Sequence, residues 1–300
     1  MHVLFLACGG PDDLPVNRSV LDDVRGLHGV DTLEVLELPA IPTRRDLTPL
    51  DEAARTVLPV DPTPGLDEIA KRPDVDHLGT PERAPQEPEE VLRVVVCGSD
   101  AALSAVLTRL MRSDRMWVEV GYVPVDPGSP AAANFGLPAD PLDALALALG
   151  GHVHPAPLIR DDSAVAVAGS ATVSCFDPAA EMTGEVIVDD DTLLNHQAGQ
   201  RAPRTGFYGA RLVPMLDAPG IAAVVADTPL EPVPGGLIDR ILRRARPSGT
   251  VDPTTLLTGR ALQAGGPNLR ITVDDVSRSR PAERVTFYRH LRDLQIVRQP

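Results

Sequence analysis

The sequence is poor in lysine, cysteine and aromatic residues. Lys71 is the single lysine among 28 basic residues, there are three cysteines, and aromatic residues make up 3% of the chain. Cys8, Cys97 and Cys175 lie far apart, with no CxxC pair or cysteine–histidine cluster. This spacing argues against a disulfide framework and against a structural zinc site. It fits a reducing compartment, so we expect a cytoplasmic protein.

Long apolar runs are also missing. No run approaches the roughly 20 residues that a membrane-spanning helix needs. The opening MHVLFLACGG lacks a basic region and is shorter than a signal peptide, so it predicts a buried first strand. We therefore expect no transmembrane segment, while peripheral contact with a membrane surface stays open.

Positive charge is scarce over most of the chain. The formal net charge is -14 and the isoelectric point is near 4.9, which argues against nucleic acid as a partner because phosphate backbones require clustered lysine and arginine. Residues 1–200 hold 13 basic and 33 acidic side chains, whereas residues 201–300 hold 15 and 9. The basic final third indicates either an anionic ligand or lipid headgroup, or a solvated charged face.

The common catalytic signatures are absent. No HExxH, GxSxG or GxxxxGK[ST] occurs, so the sequence lacks the signature motifs of zinc proteases, α/β hydrolases and P-loop NTPases. Asp189–Asp191 favours an acidic turn over a cation site, and His152 with His154 lacks a third metal ligand at a sensible spacing. The arginine run 240–246, with Gly235–Gly236 before it, fits an anion site or a solvated helix face.

The hydrophobic content of 43% over 300 residues allows a sizeable core and favours two domains. Strand and helix patterns alternate at the start. Leu92–Cys97 predicts a strand buried on both faces, and the helix after it carries one apolar face. The sequence therefore predicts a Rossmann-like parallel α/β domain over residues 1–140. Its predicted strands are His2–Ala7, Thr32–Leu38, Leu92–Cys97 and Trp117–Val125, and its apolar helix face is Leu103, Val106, Leu107 and Leu110.

Within this domain, residues 41–90 are rich in proline and acidic side chains. Only Leu50–Leu58 and Leu66–Lys71 look helical there. This composition predicts either a poorly ordered insertion or a loosely attached pair of helices that could recruit a partner.

After residue 140 the pattern changes to short β-like runs separated by turn residues, with one helical interval at Leu237–Arg244. It predicts a mostly antiparallel, β-rich domain over residues 141–300. The fold class is thus α/β plus β, and the cleft between the domains is the default ligand site. The predicted strands are Ala164–Ala168, Ala171–Phe176, Glu185–Val188, Gly209–Val213, Ile221–Ala226, Leu269–Val273 and Gln295–Arg298.

Three segments carry a resemblance to a known family. VVVCGSDAALSAV over 94–106 is a strand, a small-residue turn and a helix; VPVDPGSPAAANFGLP over 123–138 is a second loop; QAGGPNLRITVDDV over 263–276 precedes a final strand. In this order they resemble the diacylglycerol kinase catalytic family, relatives of NAD kinases and sphingosine kinases, over nearly the whole chain.

The resemblance implies ATP and Mg²⁺ as cofactors and a nucleotide or lipid as ligand. It implies phosphate-binding loops at Gly9, Gly10, Gly98, Ser99, Gly128 and Ser129. It further implies that Asp100, Asp274 and Asp275 act as magnesium or base groups. It gives no dedicated metal-binding cluster and leaves the oligomeric state open.

The chain departs from the family pattern where the chemistry would lie. The family's GGDGT reads GSDAA here, so two glycines that would let backbone N–H groups approach phosphate are missing. In the second loop Asp126 would repel a triphosphate, and Pro127 and Pro130 remove N–H donors. Val276 stands where the family has a glutamate base, and valine cannot accept a proton.

Plain structural roles explain the remaining motif residues. Asp100 reads as a helix N-cap, Gly98 as a turn residue, and Gly9–Gly10 as an ordinary turn. Three functions follow. The first is a non-catalytic protein of diacylglycerol-kinase type that binds a nucleotide, a lipid or a partner. The second is an active ATP-dependent lipid kinase with substitute residues, and the third is a structural or interaction protein.

Overall fold

The computed structural model describes residues 1–10, 14–16, 18–25, 29–71, 79–200, 206–231 and 247–300. The predicted helix Leu237–Arg244, the pair Gly235–Gly236 and the arginine run 240–246 lie outside these ranges. Within them, every helix is too short or too polar to cross a bilayer.

The first part of the chain forms a four-stranded parallel sheet in the order β2-β1-β3-β4. This confirms the predicted Rossmann-like layout. The strands are β1 (His2–Cys8), β2 (Thr32–Leu38), β3 (Leu92–Gly98) and β4 (Glu119–Pro124), and the helices are α1 (Arg18–Arg25), α2 (Thr48–Val57), α3 (Leu66–Ala70), α4 (Asp100–Arg112), α5 (Pro130–Phe135) and α6 (Pro141–Gly150).

The central strand β3 is buried along its whole length, as its continuous apolar run predicts. Arg93 is the exception in that run. Its guanidinium pairs with Glu119 at 2.6 Å and donates to the carbonyl of Leu149 at 2.7 Å, so its charge is satisfied inside the fold. The predicted apolar face of α4 is buried as well.

Residues 41–57 are an integral part of this unit, which corrects the expectation of a loosely attached insertion. Leu50 and Ala54 of α2 are fully buried and belong to the same core cluster as β3 and α4. The buried carboxylate of Asp51 pairs with Arg109 and Arg115. By contrast, α3 buries no side chain. The sequence predicted a helix at Leu50–Leu58, but the acidic, proline-rich composition around it gave no sign that the apolar face of this helix is buried in the core.

The described residues of the second part of the chain form a large antiparallel sheet of eleven strands, which confirms the predicted β-rich architecture. Eight strands run in the order β12-β11-β10-β7-β13-β15-β5-β6, β14 and β8 pair with β13, and β9 pairs with β8. The strands are β5 (Ile159–Asp161), β6 (Ala166–Val167), β7 (Ala171–Cys175), β8 (Gly184–Val188), β9 (Asp191–His196), β10 (Gly209–Pro214), β11 (Ile221–Ala226), β12 (Val251–Gly259), β13 (Ala261–Val273), β14 (Val276–Ser277) and β15 (Ala282–Arg289).

The last residues of the chain return to the first sheet. Ile296 forms a parallel bridge with Val120 of β4, and the Val120 N–H donates to the carbonyl of Gln295 at 2.8 Å. The run Gln295–Arg298, expected inside the β-rich part, therefore lies beside β4. The core around β3 also includes Leu158 and Ala166, so the two parts share buried apolar surface.

Candidate functional site

The turn between β3 and α4 is built by close packing. A Cβ on Gly98 would lie 2.9 Å from the Cβ of Cys8 and 3.1 Å from that of Ala102, so glycine is required for the strand and the helix to meet. Ser99 is the N-cap of α4, and its hydroxyl accepts the Ala102 N–H at 3.2 Å. The prediction that Asp100 caps the helix is therefore wrong: Asp100 is the first helical residue.

The Asp100 carboxylate reaches across to the next strand and loop instead. One oxygen accepts the Tyr122 hydroxyl at 2.8 Å and the Ser129 hydroxyl. The other accepts the Ala131 N–H at 2.9 Å. Both carboxylate oxygens thus have donors from within the protein, and Asp100 ties the start of α4 to β4 and to the start of α5.

The second loop satisfies its own backbone in a similar way. The Asp126 carboxylate accepts the Gly128 N–H at 2.8 Å, and the Ser129 hydroxyl caps α5 by accepting the Ala132 N–H at 2.9 Å. Pro130 at the first position of α5 has no N–H. The N–H groups that a phosphate would need are therefore bonded within the loop or absent.

Asp274 is buried at the turn between β13 and β14. Its carboxylate accepts three backbone N–H groups, from Ala168 at 2.8 Å, Gly169 at 2.7 Å and Ser170 at 2.8 Å. Burial raises the pKa of Asp274 to about 7, and the nearby negative charge of Asp100 acts in the same direction, while the three N–H donors oppose it. Asp274 thus holds the loop between β6 and β7 against the β13–β14 turn.

Gly169 brings the two aspartates together. A Cβ on Gly169 would lie 2.4 Å from a carboxylate oxygen of Asp100 and 2.9 Å from the Ala131 nitrogen. The Asn134 side chain also donates to the Gly169 carbonyl at 2.6 Å. We call Asp100, Ser129, Gly169 and Asp274 the carboxylate clasp, because together they join the parallel sheet to the antiparallel one.

The other predicted site residues, Asp275, Gly9 and Gly10, are not members of the clasp. Asp275 is exposed in the β13–β14 turn, where its φ is 65°, and Val276 beside it is 48% exposed. Gly9 and Gly10 follow β1 and are partly exposed. The Gly9 N–H donates to the Leu38 carbonyl at 3.1 Å, which ties it to the end of β2.

A pocket of about 430 Å³ lies beside α4, between the two parts of the chain. We call it the interdomain pocket. It is near the clasp, since its walls include Ala101 and Val273, the chain neighbours of Asp100 and Asp274. Its other lining residues are Ile41, Pro42, Arg44, Leu47, Ser104, Ala105, Thr108, Arg109, Arg112, Asp161, Ser163, Val165, Ile271, Val276, Ser277 and Arg278.

Sequence reasoning identified the aspartates but missed their partners. Tyr122, Ala131 and Gly169 lie 22, 31 and 69 residues from Asp100 along the chain, and no local pattern marks them. The acidic turn is confirmed, because Asp189 lies between β8 and β9 and accepts the Arg260 and Ala261 N–H groups. Across the described ranges, no group of three metal-ligating side chains occurs, His152 and His154 included.

Comparison with known proteins gives structural relatives only. No family model matches the sequence, and no curated protein matches it significantly. A diacylglycerol kinase from Bacillus anthracis superposes with a TM-score of 0.58 at 8% identity, over 100% of this chain and 97% of that one. The fold is that of the diacylglycerol kinases. A candidate diacylglycerol kinase from the same organism gives 0.54 at 9% identity, over 100% and 97%, and an NAD kinase from Archaeoglobus fulgidus in complex with ATP gives 0.44 at 9%, over 99% and 93%.

On this diacylglycerol-kinase fold, the residues present do not fit a metal–nucleotide cofactor. Mg²⁺ prefers carboxylate oxygens with free lone pairs and retains several waters. The carboxylate oxygens of Asp100 and Asp274 already accept hydrogen bonds from groups of the protein. In the second loop, the negative charge of Asp126 would repel a phosphate.

Proposed function

We propose that this chain is a non-catalytic protein of diacylglycerol-kinase fold that binds a small molecule in the interdomain pocket. The observation that carries the proposal is the hydrogen bonding of Asp100. Its carboxylate takes the Tyr122 and Ser129 hydroxyls and the Ala131 N–H. Phosphoryl transfer depends on positioned charge and metal ions at the transferred group, and this carboxylate serves a structural role instead.

The candidates for a base support the same proposal. Asp274 is buried and accepts three N–H groups, so its oxygens are shielded from a substrate hydroxyl in solution. Val276 has no proton acceptor. Asp275 is the one exposed carboxylate of the turn.

Ligand binding is proposed because the fold still encloses a suitable cavity. The interdomain pocket, at about 430 Å³, lies within the range of roughly 300–1,000 Å³ that small-molecule sites occupy. It is formed by elements of both sheets, so a ligand there would stabilise their relative arrangement.

One observation favours the active-kinase alternative. Asp275 is exposed and lines a second, smaller pocket of about 290 Å³ with Arg211 and several hydroxyl side chains. A base at Asp275 would therefore be accessible to a substrate. The interaction-protein alternative has less support at residues 48–57, because α2 packs its apolar face into the core and does not offer it to a partner.

A transfer assay tests the proposal. The protein is incubated with γ-labelled ATP and Mg²⁺ and, in turn, diacylglycerol, sphingosine and NAD, with an active diacylglycerol kinase as positive control. We expect no transfer above the protein-free blank. Magnesium-dependent transfer that disappears in Asp275→Asn would overturn the proposal and establish the alternative.

A further inference from the structure

The interdomain pocket has an unusual charge for this protein. Four arginines line it, with a single aspartate, although the chain as a whole carries a net charge of -14. The arginines are Arg44, Arg109, Arg112 and Arg278. A cationic pocket on an acidic protein favours an anionic ligand over a neutral or cationic one.

Among the described residues, two of these arginines have no carboxylate partner. Arg112 donates to the carbonyls of Ala164 at 2.9 Å and Ser163 at 2.8 Å, which are neutral acceptors. Arg44 is exposed. Their positive charges are therefore available to a ligand headgroup.

The other two arginines have acidic partners. Arg109 shares Asp51 with Arg115, which leaves two positive charges on one carboxylate. Arg278 pairs with Asp161 and Asp162, each at 2.7 Å. Asp161, the one acidic residue in the described lining, also accepts the N–H groups of Ser163 and Val165. These donors offset the negative charge of Asp161, so it repels an anionic ligand less than a free carboxylate would.

The walls between these arginines are apolar. The two hydroxyls that α4 contributes both bond to Ala166: Ser104 donates to its carbonyl at 2.6 Å, and Thr108 accepts its N–H at 2.9 Å. Ala101, Ala105, Val165 and Ile271 supply hydrocarbon surface. Two further lining residues, Ile41 and Val276, are each 48% exposed, so a bound hydrocarbon chain would bury apolar surface on both.

We infer that the interdomain pocket binds an anionic amphiphile: a single acyl or alkyl chain against the apolar walls, and a carboxylate or phosphate head at Arg44 and Arg112. The inference rests on the proposed function and names its ligand class. Two features of the lining carry it: four arginines, and walls that are mostly hydrocarbon. A nucleotide would lack a chain for those walls, and a neutral lipid would leave the two cations unused.

Isothermal titration calorimetry with matched probes below their micelle concentrations tests this ligand class. The probes are decyl phosphate, decanoate, decanol and ATP. We expect both anionic probes to bind, and decanol to bind at least about tenfold more weakly because it lacks the charge-assisted hydrogen bonds. Shortening decanoate to octanoate removes two CH₂ groups and should weaken binding about fifteenfold, since each buried CH₂ contributes about fourfold in affinity.

Three variants locate the site. Arg44→Gln and Arg112→Gln should each weaken decyl phosphate about tenfold, whereas the control Arg284→Gln, an exposed arginine on β15 outside the pocket lining, should leave it unchanged. Ala105→Leu should reduce the affinity of every probe by filling the cavity. Unchanged melting of each variant without ligand shows that it has folded.

The outcomes separate this inference from the proposed function. If ATP or decanol binds as tightly as decyl phosphate, with sensitivity to Ala105→Leu but not to the arginine variants, the ligand class is wrong and the pocket function stands. If no probe binds, or if binding ignores Ala105→Leu, both the inference and the proposed binding role are overturned. If Arg44→Gln and Arg112→Gln bind the anionic probes as tightly as the unsubstituted protein does, the headgroup site is wrong.

Discussion

The carboxylate clasp makes a quantitative prediction about Asp100. In Asp100→Ala, the Tyr122 hydroxyl keeps the Gly98 carbonyl as an acceptor at 3.0 Å. The Ser129 hydroxyl and the Ala131 N–H lose theirs, and both residues are buried. An unsatisfied buried donor costs about 1–3 kcal/mol, so the free energy of unfolding should fall by about 3 kcal/mol.

Neighbouring substitutions provide the scale. Asp100→Asn can turn its carbonyl towards Ala131 and its amide towards the two hydroxyl oxygens, so about 1 kcal/mol is expected. Ser99→Ala removes a real helix cap and should also cost about 1 kcal/mol. Asp143→Ala, an exposed acidic residue in the first turn of α6, controls for the helix dipole and should cost less than about 1 kcal/mol.

Urea denaturation measures these differences through the single tryptophan, Trp117, which lies in the core. The slope with urea should be the same for all four variants, so that midpoint shifts report stability. If Asp100→Ala costs no more than Ser99→Ala, Asp100 makes no stabilising contact across the two loops, and the reasoning about the clasp fails.

Three more predictions follow from the same contacts. Because burial raises the pKa of Asp274 to about 7, above its unfolded value of about 3.9, its contribution is fully present below pH 4 and is lost as pH rises to 7. Stability should therefore fall by up to a few kcal/mol over that window. Burial also raises the pKa values of Asp114 and Asp293, so Asp274→Asn should make the fall clearly shallower and Asp275→Asn should leave it unchanged. A fall that is equally steep in Asp274→Asn would refute the assignment. Gly169→Ala should lower the free energy of unfolding by about 2 kcal/mol or more, because the added methyl group would press against Asp100. The control Gly265→Ala should be tolerated, because no atom lies within 4 Å of the added Cβ. Equal effects of the two substitutions on the melting temperature would contradict the close contact. Endoprotease Lys-C should cut the native protein after the exposed Lys71 and leave both fragments associated through the pairing of β1 with β3. The amides of Leu50–Val57 should exchange with solvent much more slowly than those of α3. Fragments that separate on gel filtration, or equal exchange in α2 and α3, would show that residues 41–71 are not packed in this way.

The sequence was sufficient for the parallel sheet because its signals are local. The apolar run of β3 and the four-residue face of α4 have strong periodicity, and both are buried as predicted. Strands with mixed polarity were missed. β12 contains Pro253 and β15 contains two exposed charged residues, Glu283 and Arg284, so neither resembles an isolated strand, although pairing within the large sheet stabilises both.

The candidate site was less predictable because its geometry depends on long-range contacts. The spacing of Ser99 and Asp100 allows either residue to cap α4, and only the position of Ser129 and Ala131 decides that Asp100 turns away. The same holds for Asp274, whose three donors lie more than 100 residues earlier in the chain. The burial of α2 depends on the neighbouring β3 and α4, which composition alone does not reveal.

The central claim is that these carboxylates hold the fold together and do not hold a metal–nucleotide complex. Electron paramagnetic resonance of Mn·ATP tests it directly, because Mn²⁺ replaces Mg²⁺ at oxygen ligands and its free complex gives a measurable signal. We predict that adding the protein leaves the signal of free Mn·ATP unchanged. A saturable loss of that signal at one Mn²⁺ per chain, reversed by Asp100→Asn or Asp275→Asn in a folded protein, would contradict the claim.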